Sequence, residues 1–99
     1  MLLGWLLMIP PVHQERPGNF QVDETAPIAD WKQWRAYGSA EKCEDMATSL
    51  RLGREESKRG CLLTAPKDGN EDAWCTTGAE AFAQARCVPA EYVYPPKQP

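Results

Sequence analysis

Four cysteines, Cys43, Cys61, Cys75 and Cys87, are the residues of this 99-residue chain best placed to do chemistry. They are spaced by 18, 14 and 12 residues. An even number of cysteines in so short a chain reads as a disulfide framework formed in an oxidising compartment. Four thiolates also make a complete tetrahedral zinc site, so an intracellular zinc-stabilised interaction module is the alternative. The spacing argues against zinc, because no pair forms the Cys-x2-Cys to Cys-x4-Cys knuckle that presents two sulfurs to one ion. A redox Cys-x-x-Cys pair is absent too. Buried free thiols, packed as small hydrophobes, are a third way to use these residues.

Little else in the chain has the pattern of a catalytic or ligand site. There is one histidine, His13, in a polar stretch beside Gln14 and Glu15, and it is assigned no role. No Gly-x-Ser-x-Gly, His-Glu-x-x-His or glycine-rich phosphate loop occurs. The carboxylate pairs Glu55-Glu56 and Glu71-Asp72 lie in hydrophilic segments, where burial would not shift a pKa toward acid–base work. Asp68-Gly69-Asn70-Glu71-Asp72 resembles the start of a calcium loop, but the required Gly and Glu positions are Ala73 and Ala79. The expectation is a non-enzyme with no catalytic residue, no metal and no cofactor.

The net charge of −3, from 11 basic and 14 acidic residues, lacks the basic footprint of a nucleic-acid binder. Of the hydrophobic residues 12 are Ala and 4 are Cys, which leaves 26 large apolar or aromatic side chains. Eight of these fall in the first nine residues, so a thin core of 18 must organise the rest. Such a core needs cross-links. Among the four tryptophans, Trp31, Trp34 and Trp74 are candidates for an aromatic binding patch, since Trp is enriched at recognition hot spots. The competing reading is that they are the core.

The elements that must position these residues follow from local signals. Residues 1–30 read as an apolar N-terminal arm followed by an extended, Pro-rich connector without a period. In 31–37 the aromatics Trp31, Trp34 and Tyr37 suit a strand by type and a helix by spacing, so the period does not decide. Strand alternation would place Trp31, Gln33, Arg35 and Tyr37 on one face and Lys32, Trp34 and Ala36 on the other. A helix is predicted over 40–52: Ser39 is an N-cap, and Cys43, Met46, Ala47 and Leu50 make one apolar stripe. Gly53 ends it, or Arg54 to Arg59 extend it to Gly60. The charges from Arg51 to Arg59 are a solvated face or, alternatively, a docking surface.

Beyond Gly60, Pro66 to Asn70 is a turn signal, and a hairpin-like loop closing Cys61 onto Cys75 is geometrically natural. Thr77-Gly78-Ala79-Glu80 matches a capping box that opens a short helix at 78–86 anchored by Phe82. A terminal strand at 87–94, broken by Pro89 and so at an edge, precedes a polyproline-like tail at 95–99.

The first nine residues are too short for a membrane-spanning helix, which needs about twenty. They also lack the basic start and the small-residue cleavage site of a signal peptide. A buried strand or docked arm accounts for them, or the recorded start lies inside a longer gene whose signal segment is upstream. A resemblance favours the second. Gly4-Trp-Leu-Leu-Met-Ile-Pro-Pro11, Ala26-Pro-x-x-x-Trp31, Tyr37-Gly-Ser39 with Cys43-Glu44, and Ala85-Arg-Cys87-Val88 occur in that order. The chain thus resembles a group of small uncharacterised bacterial proteins that are exported or lipoprotein-like, a group without an assigned activity.

The resemblance implies that Cys43 and Cys87 are a shared bridge, which leaves Cys61 and Cys75 as a second pair. It also implies that 31–37 is a strand, and that Gly4-Trp5 would follow a cleavage or lipidation site. Those proteins tend to end in an acidic tail, which Pro89-Ala-Glu-Tyr-Val-Tyr-Pro-Pro replaces here. The combined expectation is a small α+β domain over 31–94, ordered strand, helix, cross-linked loop, short helix, strand. It is an exported, non-catalytic binding or structural module of the periplasm, cell envelope or medium. Its partner is an unknown protein or envelope component, with neither nucleic acid nor a transmembrane span involved.

Overall fold

A computed structural model of the chain describes residues 4–93, so Met1 to Leu3, Tyr94 and the Pro-rich stretch 95–99 lie outside the described residues. The elements are β1 (Trp5–Ile9), β2 (Val12–Arg16), β3 (Asn19–Val22), a 3-10 turn (Ile28–Asp30), β4 (Lys32–Tyr37), α1 (Ala40–Leu52), α2 (Arg54–Thr64), α3 (Glu71–Ala83), β5 (Arg86–Pro89) and a helical turn α4 (Ala90–Val93). The class is α+β, cross-linked by Cys43–Cys87 and Cys61–Cys75.

The apolar run at the start is the centre of the fold. β1 is the middle strand of an antiparallel sheet ordered β4-β1-β5. Leu6, Leu7, Met8 and Ile9 are all buried because both faces of this strand are covered, which is why the run does not alternate with polar residues. Leu7 and Ile9 face the helices and join Cys43, Ala47, Ala81 and Ala85 in the larger core cluster. Leu6 and Met8 face the other way, against Trp31, with Ile28, Val88 and Val93 closing over them. The apolar residues therefore separate by sheet face. Trp31 belongs to the second cluster, and the Cys43–Cys87 bridge lies with the first.

The stretch read as a connector also folds. β2 and β3 pair as an antiparallel hairpin, Val12 opposite Val22 and Gln14 opposite Phe20, with Glu15 extra at a bulge. Gly18 turns it at a φ of +79°, a conformation that favours glycine, with Asn70 Oδ1 only 3.0 Å from where a Cβ would stand. β4 pairs with β1, so 31–37 contains a strand, but a bulge interrupts its alternation. Arg35 lies opposite Leu7 and Gln33 opposite Met8, which leaves Trp34 as the extra residue.

α1 forms over the predicted residues. Ser39 caps it, its Oγ accepting from the Lys42 amide at 3.2 Å, and Cys43 and Ala47 are its buried positions. Replacing Ser39 with Ala is expected to cost about 1 kcal/mol, read as a lower urea midpoint at unchanged m. Gly53 joins α1 to α2, its amide bonded to the Ser49 carbonyl at 2.8 Å.

Three expectations are corrected past this joint. The segment 61–75 is not a hairpin-like loop but the ends of two helices and the turn between them: Cys61 is on α2, Cys75 is on α3, and their Cα atoms are 5.6 Å apart. The short helix at 78–86 is the second half of α3, which starts at Glu71 and ends at Ala83. Thr77 is not its cap; its hydroxyl donates to the Ala73 carbonyl at 2.9 Å, one turn back. The helix starts early because Glu71 and Asp72 favour its first turn and Ala residues recur along it, while tertiary packing overrides the weak formers Trp74, Thr76, Thr77 and Gly78. The strand expected over 87–94 is only Arg86–Pro89, and the chain then turns into α4, with the Ala90 amide donating to the Gly4 carbonyl.

Candidate functional site

α3 has neighbours on several sides, and its register places Trp74. The ring of Phe20, from β3, meets the Trp74 indole edge-to-face at 5.2 Å between centroids. The Thr77 hydroxyl also reaches the Phe20 carbonyl at 3.4 Å, which ties the hairpin to the helix. Trp74 nevertheless keeps 46% of its surface exposed, high for so large an aromatic side chain.

The bulge in β4 supplies the second indole. Paired residues of an antiparallel sheet share a face, so regular pairing would place Trp34 opposite Met8, on the Trp31 side. The extra residue instead turns Trp34 to the helix side, where it packs on the larger cluster. Its ring meets Phe82 edge-to-face at 5.3 Å, and the Arg35 guanidinium stacks over it at 4.6 Å.

Trp34, Trp74, Leu50 and Phe82 wall an open groove of about 430 Å³, floored by Gly78, Ala79 and the Cys61–Cys75 bridge. Gly78 lies in the body of α3, and a Cβ placed on it would meet nothing within 4 Å. On the other side of Trp74 is a second depression of about 390 Å³, which Phe20, Pro66, Asp68, Asn70 and Glu71 help to line. Its two carboxylates are fixed by the loop backbone: Asp68 accepts from the Asn70 amide at 2.9 Å and Glu71 from the Gly69 amide at 2.8 Å. The segment that resembled a calcium loop is thus the turn that leads into the start of α3.

Of the three tryptophans considered as a patch, Trp34 and Trp74 come together and Trp31 does not. Trp31 is 5% exposed on the opposite sheet face, its Nε1 donating to the Ala26 carbonyl at 2.9 Å with Arg86 stacked on the ring. Leu50, Phe82, Gly78 and Phe20 were missed as site residues. For Phe20 a signal existed, since Asn19-Phe20-Gln21-Val22 alternates polar and apolar residues after a Pro-Gly turn.

All four cysteine sulfurs are joined in the two bridges, which leaves no thiolate for a four-cysteine zinc site. Charged groups are arranged on the surface. The run from Arg51 to Arg59 lies across the α1–α2 joint, where Arg54 pairs with Glu80 at 3.2 Å and Lys58 with Asp72 at 3.4 Å. His13 is exposed, 3.4 Å from Glu15.

The carboxyl of Asp23 is held below the ordinary 3.8, chiefly by the Thr25 hydroxyl that donates to it at 2.7 Å, with the Thr25 amide and His13 adding to this. A lowered folded value means its contribution to stability is complete above the unfolded pKa and is lost as pH falls through the folded one. Thr25→Ala is expected to raise the Asp23 midpoint toward the ordinary value in an NMR titration; an unchanged midpoint would discount the hydroxyl.

Among the described residues, no helix is long and apolar enough to cross a membrane. The surface around Trp74 offers aromatic and apolar side chains beside a pair of carboxylates. Comparison with protein-family models, with curated protein sequences and with solved structures finds no match to this chain.

Proposed function

We propose that the protein is a non-catalytic accessory module of an oxidising, extracytoplasmic compartment, exported to the bacterial envelope or beyond, that recognises a partner protein through the Trp34–Trp74 groove. The compartment is supported by the pairing of all four cysteines, since disulfides persist outside the reducing cytosol. Bacterial origin and export to the envelope rest on the sequence resemblance.

One observation carries the recognition role. Glycine within a helix costs about 1 kcal/mol relative to alanine. At Gly78 no neighbouring atom demands a glycine, and the space left open is the floor of the groove. A helix-interior glycine with no packing cause, placed in the lining of an aromatic-walled cavity, supports a binding surface there. Gly78→Ala is accordingly expected to stabilise the fold by about 0.5–1 kcal/mol, measured by urea unfolding.

The proposal is tested on protein recovered from its own cells under acid quench. It is expected in the envelope or secreted fraction with no thiol that reacts after unfolding without reductant. Four reactive thiols in a cytoplasmic fraction would overturn the reading.

A further inference from the structure

Resting on that reading, we infer that the occupant of this surface is an extended segment of a partner protein that carries a large apolar side chain within two residues of an Arg or Lys. The two depressions share Trp74 as a wall and differ in chemistry. Toward Trp34 the side chains are aromatic, aliphatic or small, with Ser57 the one hydroxyl and no charge. Toward Phe20 the lining carries the carboxylates of Asp68 and Glu71 and no Lys or Arg.

An apolar side chain is accepted on the first side and repelled by desolvation of the carboxylates on the second. A cation finds the reverse: two carboxylates and the π face of Trp74 on one side, only apolar surface on the other. An extended chain advances about 3.3 Å per residue, so neighbouring or alternate residues reach both sides of one indole. The edge-to-face contact with Phe20 holds that indole in place, so little side-chain entropy is lost on binding. The protein's net charge of −3 favours the same basic partner.

The test follows the indole N–H signals of Trp34, Trp74 and Trp31 by NMR in the disulfide-intact protein. The probes are acetylated, amidated tripeptides: leucyl-threonyl-arginine, the same peptide ending in glutamate, and the same peptide beginning with serine. The arginine peptide is expected to shift Trp34 and Trp74 at millimolar concentration and leave Trp31, on the far sheet face, unmoved. The glutamate peptide is expected to bind about fivefold more weakly, the scale of two surface charge contacts. The serine peptide should lose the Trp34 shift.

Asp68→Asn with Glu71→Gln should abolish the preference for arginine over glutamate. Gly78→Leu, which fills the floor, should remove the Trp34 shift while its own far-ultraviolet spectrum shows an intact fold. Equal binding of the arginine and glutamate peptides overturns the basic partner and leaves the groove reading standing. Binding of the serine peptide as tight as that of the leucine peptide overturns the apolar half. If no peptide moves either indole, the partner class and the groove both fail, while the thiol measurement still decides the compartment.

Discussion

Cys43→Ala combined with Cys87→Ala is expected to lower the stability of the whole domain by about 4 kcal/mol, by the loop-closure entropy for a 44-residue separation. The measurement is urea unfolding of the variant against the unreduced parent, and in a melt the shift is on the order of 20 °C. The size follows from where the bridge sits. Cys43 is fully buried in the cluster of Leu7, Ile9 and Ala47, and Cys87 pairs directly with Leu7 across the sheet. The bridge therefore clamps α1 onto edge strand β5 over the most buried strand of the molecule. Its removal also shortens two side chains in that cluster, so the loss adds to the entropic term.

That loss is large against the 5–15 kcal/mol or so that single domains possess. It is larger still for this core, whose helix side contains three alanines among six buried members. Alanine permits close approach of α1 and α3 to the sheet but buries little apolar area. A variant that unfolds at the same urea concentration as the parent would show that packing alone holds α1 to the sheet.

The parts of this fold that can be read from sequence are those built from local signals. α1 has a cap, a stripe at helical spacing and a stop, and each is chemistry within a few residues. β1 could be read only as a buried strand or as something else, because a strand covered on both faces has no alternation to display. α2 gave no period for the opposite reason: none of its residues is buried, and Leu63 is 81% exposed. Its helix depends on what it is attached to, and attachment is a tertiary fact.

The site follows the same division. That tryptophans matter, and that Trp74 is next to a cysteine, is visible in the sequence. Which of them meet is not, because the arrangement turns on a single extra residue. If β4 kept its Arg35–Leu7 register without a bulge, Trp34 would lie opposite Met8; the bulge leaves it on the helix side, while Trp31, just before the strand, packs against Leu6 and Met8 on the other. A bulge has no sequence signature here apart from the spacing it alters.

Cys61→Ala combined with Cys75→Ala is expected to act differently: α2 unfolds while the sheet, α1 and α3 remain. Loop closure across 14 residues gives this bridge about 3 kcal/mol, but what it holds is one helix. Neither core cluster includes a residue of α2. α2 lies alongside α3, but it buries none of its residues there, and the side-chain ion pairs between them, Arg54–Glu80 and Lys58–Asp72, are surface contacts worth about 0–1 kcal/mol each. An isolated helix of fewer than about 12–15 residues is marginal in water, and α2 has 11 with Gly60 inside it. Native-state hydrogen exchange should therefore show amides 54–64 losing protection, with those of β1 and α1 retaining it. The groove loses Ser57 and residue 61 from its lining, so the Trp74 emission should shift to the red as water reaches the ring. Uniform loss of protection, with the sheet opening alongside α2, would instead make the helical pair part of the same cooperative unit as the core.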